Sequence, residues 1–69
     1  MLNKEQALKI VMECNPENMD EGEVRVVIHE TRYVKHYIYF KMINGEIKIT
    51  RIAYTRGNSN KLIVTYRGE

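Results

Sequence analysis

The stretch that decides the fold is residues 33–54, YVKHYIYFKMINGEIKITRIAY. Within it, Asn44-Gly45 separates two runs that are rich in β-branched and aromatic residues. A two-residue type I′ turn needs positive φ at both central positions, and Asn and Gly tolerate that conformation best. The stretch therefore predicts a β-hairpin that turns at Asn44-Gly45.

The first strand of this hairpin alternates between two kinds of side chain, and successive side chains of a strand point to opposite faces. One face is apolar apart from a histidine, and its residues are Val34, His36, Ile38, Phe40 and Met42. The other face interleaves three tyrosines with two lysines: Tyr33, Lys35, Tyr37, Tyr39 and Lys41. We predict that the first set faces the core, and we call the second set the tyrosine/lysine stripe.

The turn also sets the register of the second strand, and it predicts Lys48 directly opposite Lys41 on the outer face. Continued alternation would bury Arg51, and an unpaired buried arginine is costly. We therefore expect a β-bulge near Thr50-Arg51 that returns Ile52 to the core side. The alternative is a sheet end at which Arg51 reaches solvent and Ile52 turns outward.

Length and composition limit the class of protein. A chain of 69 residues is one domain with a modest core, and its one cysteine excludes an internal disulfide. No apolar run approaches the roughly 18 residues of a membrane span, and the N-terminus lacks the pattern of a signal peptide. We expect a cytoplasmic protein that does not bind membranes.

The charge of the chain is unevenly distributed along the sequence. Residues 1–23 have two basic and six acidic side chains, whereas residues 24–69 have nine basic and three acidic side chains. Such asymmetry is typical of a protein whose basic part binds a polyanion. It is also what two mutually attracting parts of one domain would show.

The remaining segments complete a simple order of elements. Residues 4–13 have helical spacing, and Asn3 with Gln6 forms a capping-box pattern at the start. We expect strands at about 23–29, 33–43, 46–55 and 61–67. The predicted fold class is α+β, with an N-terminal helix packed on one face of a four-stranded antiparallel meander. The alternative is a small SH3-like barrel that the helix caps.

The first strand is expected to turn one apolar face towards the core. Its alternation predicts that Val24, Val26 and Ile28 point inward and that His29 points outward. The tight connection to the next strand is expected at residues 30–32. Because this stretch contains no Gly, Pro, Asn or Asp, the alternative is that the first two strands form one long bent strand.

A short stretch, Arg56-Gly57-Asn58 followed by Ile63-Val64, resembles the second motif of Sm-like RNA-binding proteins. That family also begins with a helix and continues into a small barrel, so the resemblance implies the barrel alternative. The spacing here is longer than in the family, and the Asp and Asn of its first motif have no matching positions. The resemblance therefore assigns no site residues.

Catalytic and metal chemistry find little support in the sequence. His29, His36 and Cys14 include no closely spaced pair of ligands, and a metal site needs three or four ligands. Cys14 lies at a helix C-terminus, where the helix dipole disfavours a thiolate, so we expect a small buried thiol. We expect neither an enzyme nor a bound cofactor or metal.

The remaining candidate is a binding surface. Tyrosines beside lysines can stack on unpaired bases while the cations contact phosphates, so single-stranded nucleic acid is the first expected partner. The binding residues expected are Tyr33, Lys35, Tyr37, Tyr39, Lys41, Lys48 and Arg51, and the secondary basic contacts are Arg25, Arg32 and Arg56. The alternative is a regulatory or inhibitory protein that binds a protein partner or a second copy of itself through this face or a sheet edge.

Overall fold

The computed structural model describes residues 1–68, which form one helix and a four-stranded antiparallel sheet in the order β1-β2-β3-β4. The elements are α1 (Lys4–Glu13), β1 (Val24–Glu30), β2 (Val34–Ile43), β3 (Glu46–Arg56) and β4 (Ile63–Arg67). Each strand pairs antiparallel with the next one along the chain. The predicted α+β meander is confirmed, and the barrel alternative is wrong, because the sheet remains open between β1 and β4.

The helix begins at the predicted capping box. The backbone N–H of Gln6 donates to the Asn3 side chain at 2.8 Å, and the Asn3 N–H donates to the Gln6 side chain at 3.0 Å. These two bonds satisfy donors that have no partner inside the helix. Ala7 and Val11, four residues apart on one face, are fully buried against the sheet. Cys14, at the end of the helix, is exposed, so the expectation of a buried thiol was wrong.

The core lies between α1 and the two central strands. Its buried members are Ala7, Val11, Ile38, Phe40, Ile49 and Ile52. The turn at Asn44-Gly45 has φ values of 52° and 78°, as a type I′ hairpin requires. We call the sheet face that α1 covers the helix face and the opposite one the outer face.

The predicted bulge is confirmed on β3. Phe40 pairs with Ile49, whereas the next residue back, Tyr39, pairs with Arg51, so Thr50 is the extra residue. Arg51 therefore lies on the outer face, and Ile52 returns to the core with no exposed surface. A buried arginine is avoided at the cost of one irregular step in the ladder.

The orientation of β1 differs from the expectation. Val26 pairs with Tyr39 and Ile28 with Tyr37, so these residues lie on the outer face, and 45% and 52% of their respective surfaces are exposed. The prediction that they point inward was wrong. The tight turn at Arg32-Tyr33, closed by a 2.8 Å bond from the Thr31 N–H to the Val34 carbonyl, sets this register.

Candidate functional site

The outer face brings most of the tyrosine/lysine stripe together with residues of the other strands. Tyr37 and Tyr39 are half-buried near its centre, and Lys35 and Lys41 flank them along β2. Tyr33 lies apart from this row, because it belongs to the turn before β2, where 69% of its surface is exposed. Four of the five stripe residues therefore share one surface.

Like charges lie directly opposite each other at one end of this face. Lys41 pairs with Lys48, as the sequence predicts, and in the next row Arg51 pairs with Arg67. Like charges at directly opposed positions of a sheet are destabilising. The one salt bridge among residues 1–68 joins Arg25 to Glu23. No acidic side chain in that range therefore neutralises these four cations by a salt bridge.

The two central tyrosines are already in contact with cations. The guanidinium carbon of Arg51 lies 4.2 Å from the centre of the Tyr39 ring, and the Lys35 ammonium lies 6.0 Å from the centre of the Tyr37 ring. Both distances lie within the range of cation–π attraction. Arg51 thus shields Tyr39, whereas Tyr37 has the more distant cation and is the better platform for a flat ligand.

A groove of about 510 Å³ continues the outer face at the end where β2 begins. Lys35 and Tyr37 line both the face and the groove, and the two adjoining loops form its walls. The loop side chains are mostly amides and hydroxyls: Thr31, Asn58, Ser59 and Asn60. Such groups donate and accept hydrogen bonds, so the groove can accommodate a polar planar group beside the aromatic ring.

Of the three secondary basic contacts, Arg32 lines the groove, whereas Arg25 and Arg56 lie on the other face. Arg25 is on the helix face, since it pairs with the core residue Phe40, and its guanidinium binds Glu23 at 2.6 Å and the carbonyls of Glu17 and Asn18. It holds the acidic loop against the sheet and does not contribute to the outer face. Arg56 ends β3 on the helix-face side and lies 5.8 Å from the Tyr54 ring centre. Arg32 lies in the turn beside Tyr33.

Sequence reasoning missed Arg67 and the apolar part of the outer face. Arg67 reaches the outer face because a second register shift, between Ile52 and Ala53, makes Thr65 an extra residue. Nothing in the alternation of β4 signals this bulge. The apolar part of the face consists of Val24, Val26 and Ile28 on β1, next to the two tyrosines of β2.

A histidine pair lies on the opposite, helix face. His29 and His36 are directly paired, their ring centres are 6.1 Å apart, and both Nδ1 atoms are buried without a hydrogen-bond partner among residues 1–68. The expectation that His29 points outward was wrong. Burial lowers the pKa of His36, and the nearby His29 and N-terminal ammonium lower it further. Residues 1–68 contain no group of three or more potential metal ligands.

α1 is too short and too polar to cross a membrane, and the described residues contain no other helix that could do so. Comparisons with protein-family models, with curated proteins and with solved structures gave no significant match for this chain. Its function is therefore inferred from the geometry of the outer face.

Proposed function

We propose that this protein is a small, non-catalytic module that binds single-stranded nucleic acid through its outer face. The observation that carries the proposal is the pair of like-charged rows, Lys41–Lys48 and Arg51–Arg67, beside two half-buried tyrosines. Opposed cations cost stability in the unliganded protein, and a bound polyanion relieves that cost. Single-stranded nucleic acid supplies phosphates for the cations and unstacked bases for the rings.

The arrangement suggests how a strand would lie on the face. Tyr37 offers the less shielded ring to a base, and the four cations near the hairpin turn would contact the neighbouring phosphates. The amide-lined groove lies on the other side of Tyr37 and offers hydrogen bonds to the edge of a base. A duplex is a poorer ligand, because its bases are already stacked and cannot reach the ring.

The test is a titration of a labelled, mixed-sequence single-stranded oligonucleotide, followed by fluorescence anisotropy at several salt concentrations. Tyr37→Ala is expected to cost about 1–3 kcal/mol of binding free energy, the range measured for a base stacked on an aromatic ring. Lys48→Ala removes one phosphate contact and should reduce the slope of log K against log salt by about 0.7. Lys9→Ala is the matched control, because Lys9 is exposed on α1, on the other side of the sheet.

Two results would contradict the proposal. One is the absence of binding to DNA and RNA oligonucleotides at low salt. The other is binding that Lys9→Ala weakens as much as Lys48→Ala, because this would indicate unspecific attraction without a role for the outer face.

A further inference from the structure

Strand β1 is an edge strand with little of the usual protection against pairing. Such strands are normally kept short or interrupted by lysine, proline or a bulge. β1 is seven residues long, contains neither lysine nor proline, and pairs with β2 without a register shift. Its two charged side chains are Arg25, which binds Glu23 and two loop carbonyls, and Glu30 at the end of the strand. Its outer-face residues Val24, Val26 and Ile28 are 58%, 45% and 52% exposed. The opposite edge, β4, is protected by its length of five residues and by its bulge.

The backbone of β1 is also ready to pair. Hydrogen bonds to β2 frame the strand at both ends, from the Met42 N–H to the Glu23 carbonyl and from the Thr31 N–H to the Val34 carbonyl. Because such bonds alternate along an antiparallel ladder, the odd-numbered residues bond to β2 and the even-numbered ones direct their N–H and C=O groups to the open edge. Among residues 1–68, no loop bonds to the backbone of Val24–Glu30.

We propose that β1 pairs with β1 of a second copy of this chain, antiparallel and about a twofold axis at Val27. In this register Val26 lies opposite the partner's Ile28, Val24 opposite the partner's Glu30, and Val27 opposite the partner's Val27. The register uses all seven residues of the strand. It also joins the even-numbered residues whose backbone groups point outward, as an antiparallel ladder requires.

Charge favours a second copy at this edge over a second copy stacked on the outer face. Stacking two outer faces would bring the cations of Lys41, Lys48 and Arg51 against those of the other copy. At the β1 edge the outer-face neighbours are apolar except for Glu30 at the end of the strand, and the nearest lysines lie one strand away on β2. An isologous interface needs a self-complementary patch. The β1 edge is self-complementary in this register, because Val27 at its centre pairs with the partner's Val27.

The paired molecules would form one eight-stranded sheet. A twofold axis perpendicular to the sheet reverses the strand direction and keeps each outer face on the same side. The two outer faces would then form one continuous surface, with the apolar residues of β1 in the middle and the cations at both ends. Pairing does not depend on nucleic-acid binding, and it can be tested in its absence.

The test is sedimentation velocity of the complete chain over a wide concentration range, without nucleic acid. Wild-type protein is expected to shift from monomer to dimer as concentration rises. Val26→Lys combined with Ile28→Lys places lysines opposite each other twice and should raise the dimer Kd by about tenfold or more. Val26→Lys combined with Ile28→Glu instead places opposite charges across the axis and should restore dimer formation.

The matched control is Leu62→Lys, because Leu62 is 42% exposed and lies beside the far edge of the sheet. This variant should dimerise like the wild type. The proposal is overturned if the wild type remains a monomer at all concentrations, or if its dimer persists in the Lys/Lys variant. It is also overturned if Leu62→Lys dissociates the dimer as strongly, or if the Lys/Glu variant, at the same two positions, fails to regain it. Circular dichroism of each variant verifies the fold.

Discussion

At the scale of single residues, His36 combines burial with a titratable ring. It is 9% exposed, and its ring centre lies 6.1 Å from that of His29 and 6.2 Å from that of Tyr54. Burial lowers its pKa from the ordinary 6.5, and the charges of His29 and of the N-terminal ammonium act in the same direction. The folded protein therefore favours the neutral ring.

This preference predicts how stability depends on pH. Below about pH 6.5 the unfolded chain binds a proton at His36 more readily than the folded protein does. The contribution of His36 to the free energy of unfolding should be fully present above pH 6.5. It should be lost as the pH decreases through 6.5 towards the lower pKa of the folded state. Urea unfolding between pH 5 and 8 measures it, and His36→Phe should flatten the dependence in this range.

The contribution of Glu23 to stability changes in a different pH range from that of His36. The Asp20 N–H and the Arg25 guanidinium lower the pKa of Glu23 from 4.5, so its contribution is lost only below about pH 4.5. Glu23→Gln is therefore the control, since it should leave the dependence between pH 5 and 7 unchanged. A wild-type protein whose stability is constant from pH 7.5 to pH 5.5 would refute the role assigned to His36.

At the scale of elements, the bulge at Thr50 decides which side of β3 is buried. Deleting Thr50 removes the extra residue, so Arg51 still pairs with Tyr39 on the outer face and Ile52 still pairs with Ile38 in the core, now along a regular ladder. We therefore expect the deletion variant to retain cooperative unfolding in urea. Thr50→Ala keeps the bulge and loses one hydrogen bond, from Thr50 Oγ1 to the Tyr39 carbonyl, so it should cost about 1 kcal/mol. Loss of cooperative unfolding on deletion of Thr50 would contradict this account, because it would show that the extra residue does more than set the phase of the side chains.

Some elements of this sheet can be predicted from the sequence and others cannot. The hairpin and its bulge were predictable, because Asn44-Gly45 fixes the turn and the cost of burying Arg51 fixes the irregular step. The orientation of β1 was not predictable. Val24, Val26, Val27 and Ile28 place apolar side chains on both faces, and the choice between them depends on the length of a turn without Gly, Pro, Asn or Asp.

The candidate site was predictable to a similar degree. Alternation along β2 brought Tyr37, Tyr39 and the two lysines to one face, and the hairpin turn added Lys48. Arg67 reaches the outer face only because of the bulge at Thr65. The sequence does not signal this bulge, because regular pairing of β4 would not bury a side chain that is costly to bury. Arg25 required knowledge of the β1 register and of the loop carbonyls that it binds.

At the scale of the whole molecule, the sheet separates charges of opposite sign. The helix and the acidic loop, residues 1–23 with a net charge of −4, belong to the helix side, and Arg25 holds the loop there. The outer face carries cations from the three strands β2, β3 and β4. Apart from the salt bridge of Arg25 to Glu23, no acidic side chain forms a salt bridge with a basic one within residues 1–68. The basic outer face therefore retains its attraction for an anionic partner.

If the outer face binds a polyanion, substitution of its opposed cations should change the stability of the free protein and its affinity for the polyanion in opposite directions. Lys41→Glu replaces an opposed pair of lysines with a Glu–Lys pair and should raise the free energy of unfolding by about 0.2–1 kcal/mol. The same change should weaken oligonucleotide binding at low salt by about tenfold or more, because it removes one phosphate contact and adds a repulsive charge.

Lys41→Gln is the intermediate case, since it removes the repulsion without adding a pair, and both effects should be smaller. Lys9→Glu changes the net charge equally but acts on α1, so it should leave the affinity within about twofold of the wild type. Urea unfolding of the free protein and anisotropy titration of the same preparations measure the two quantities. A variant series in which stability and affinity fall together would indicate that the opposed lysines serve the fold and not a ligand.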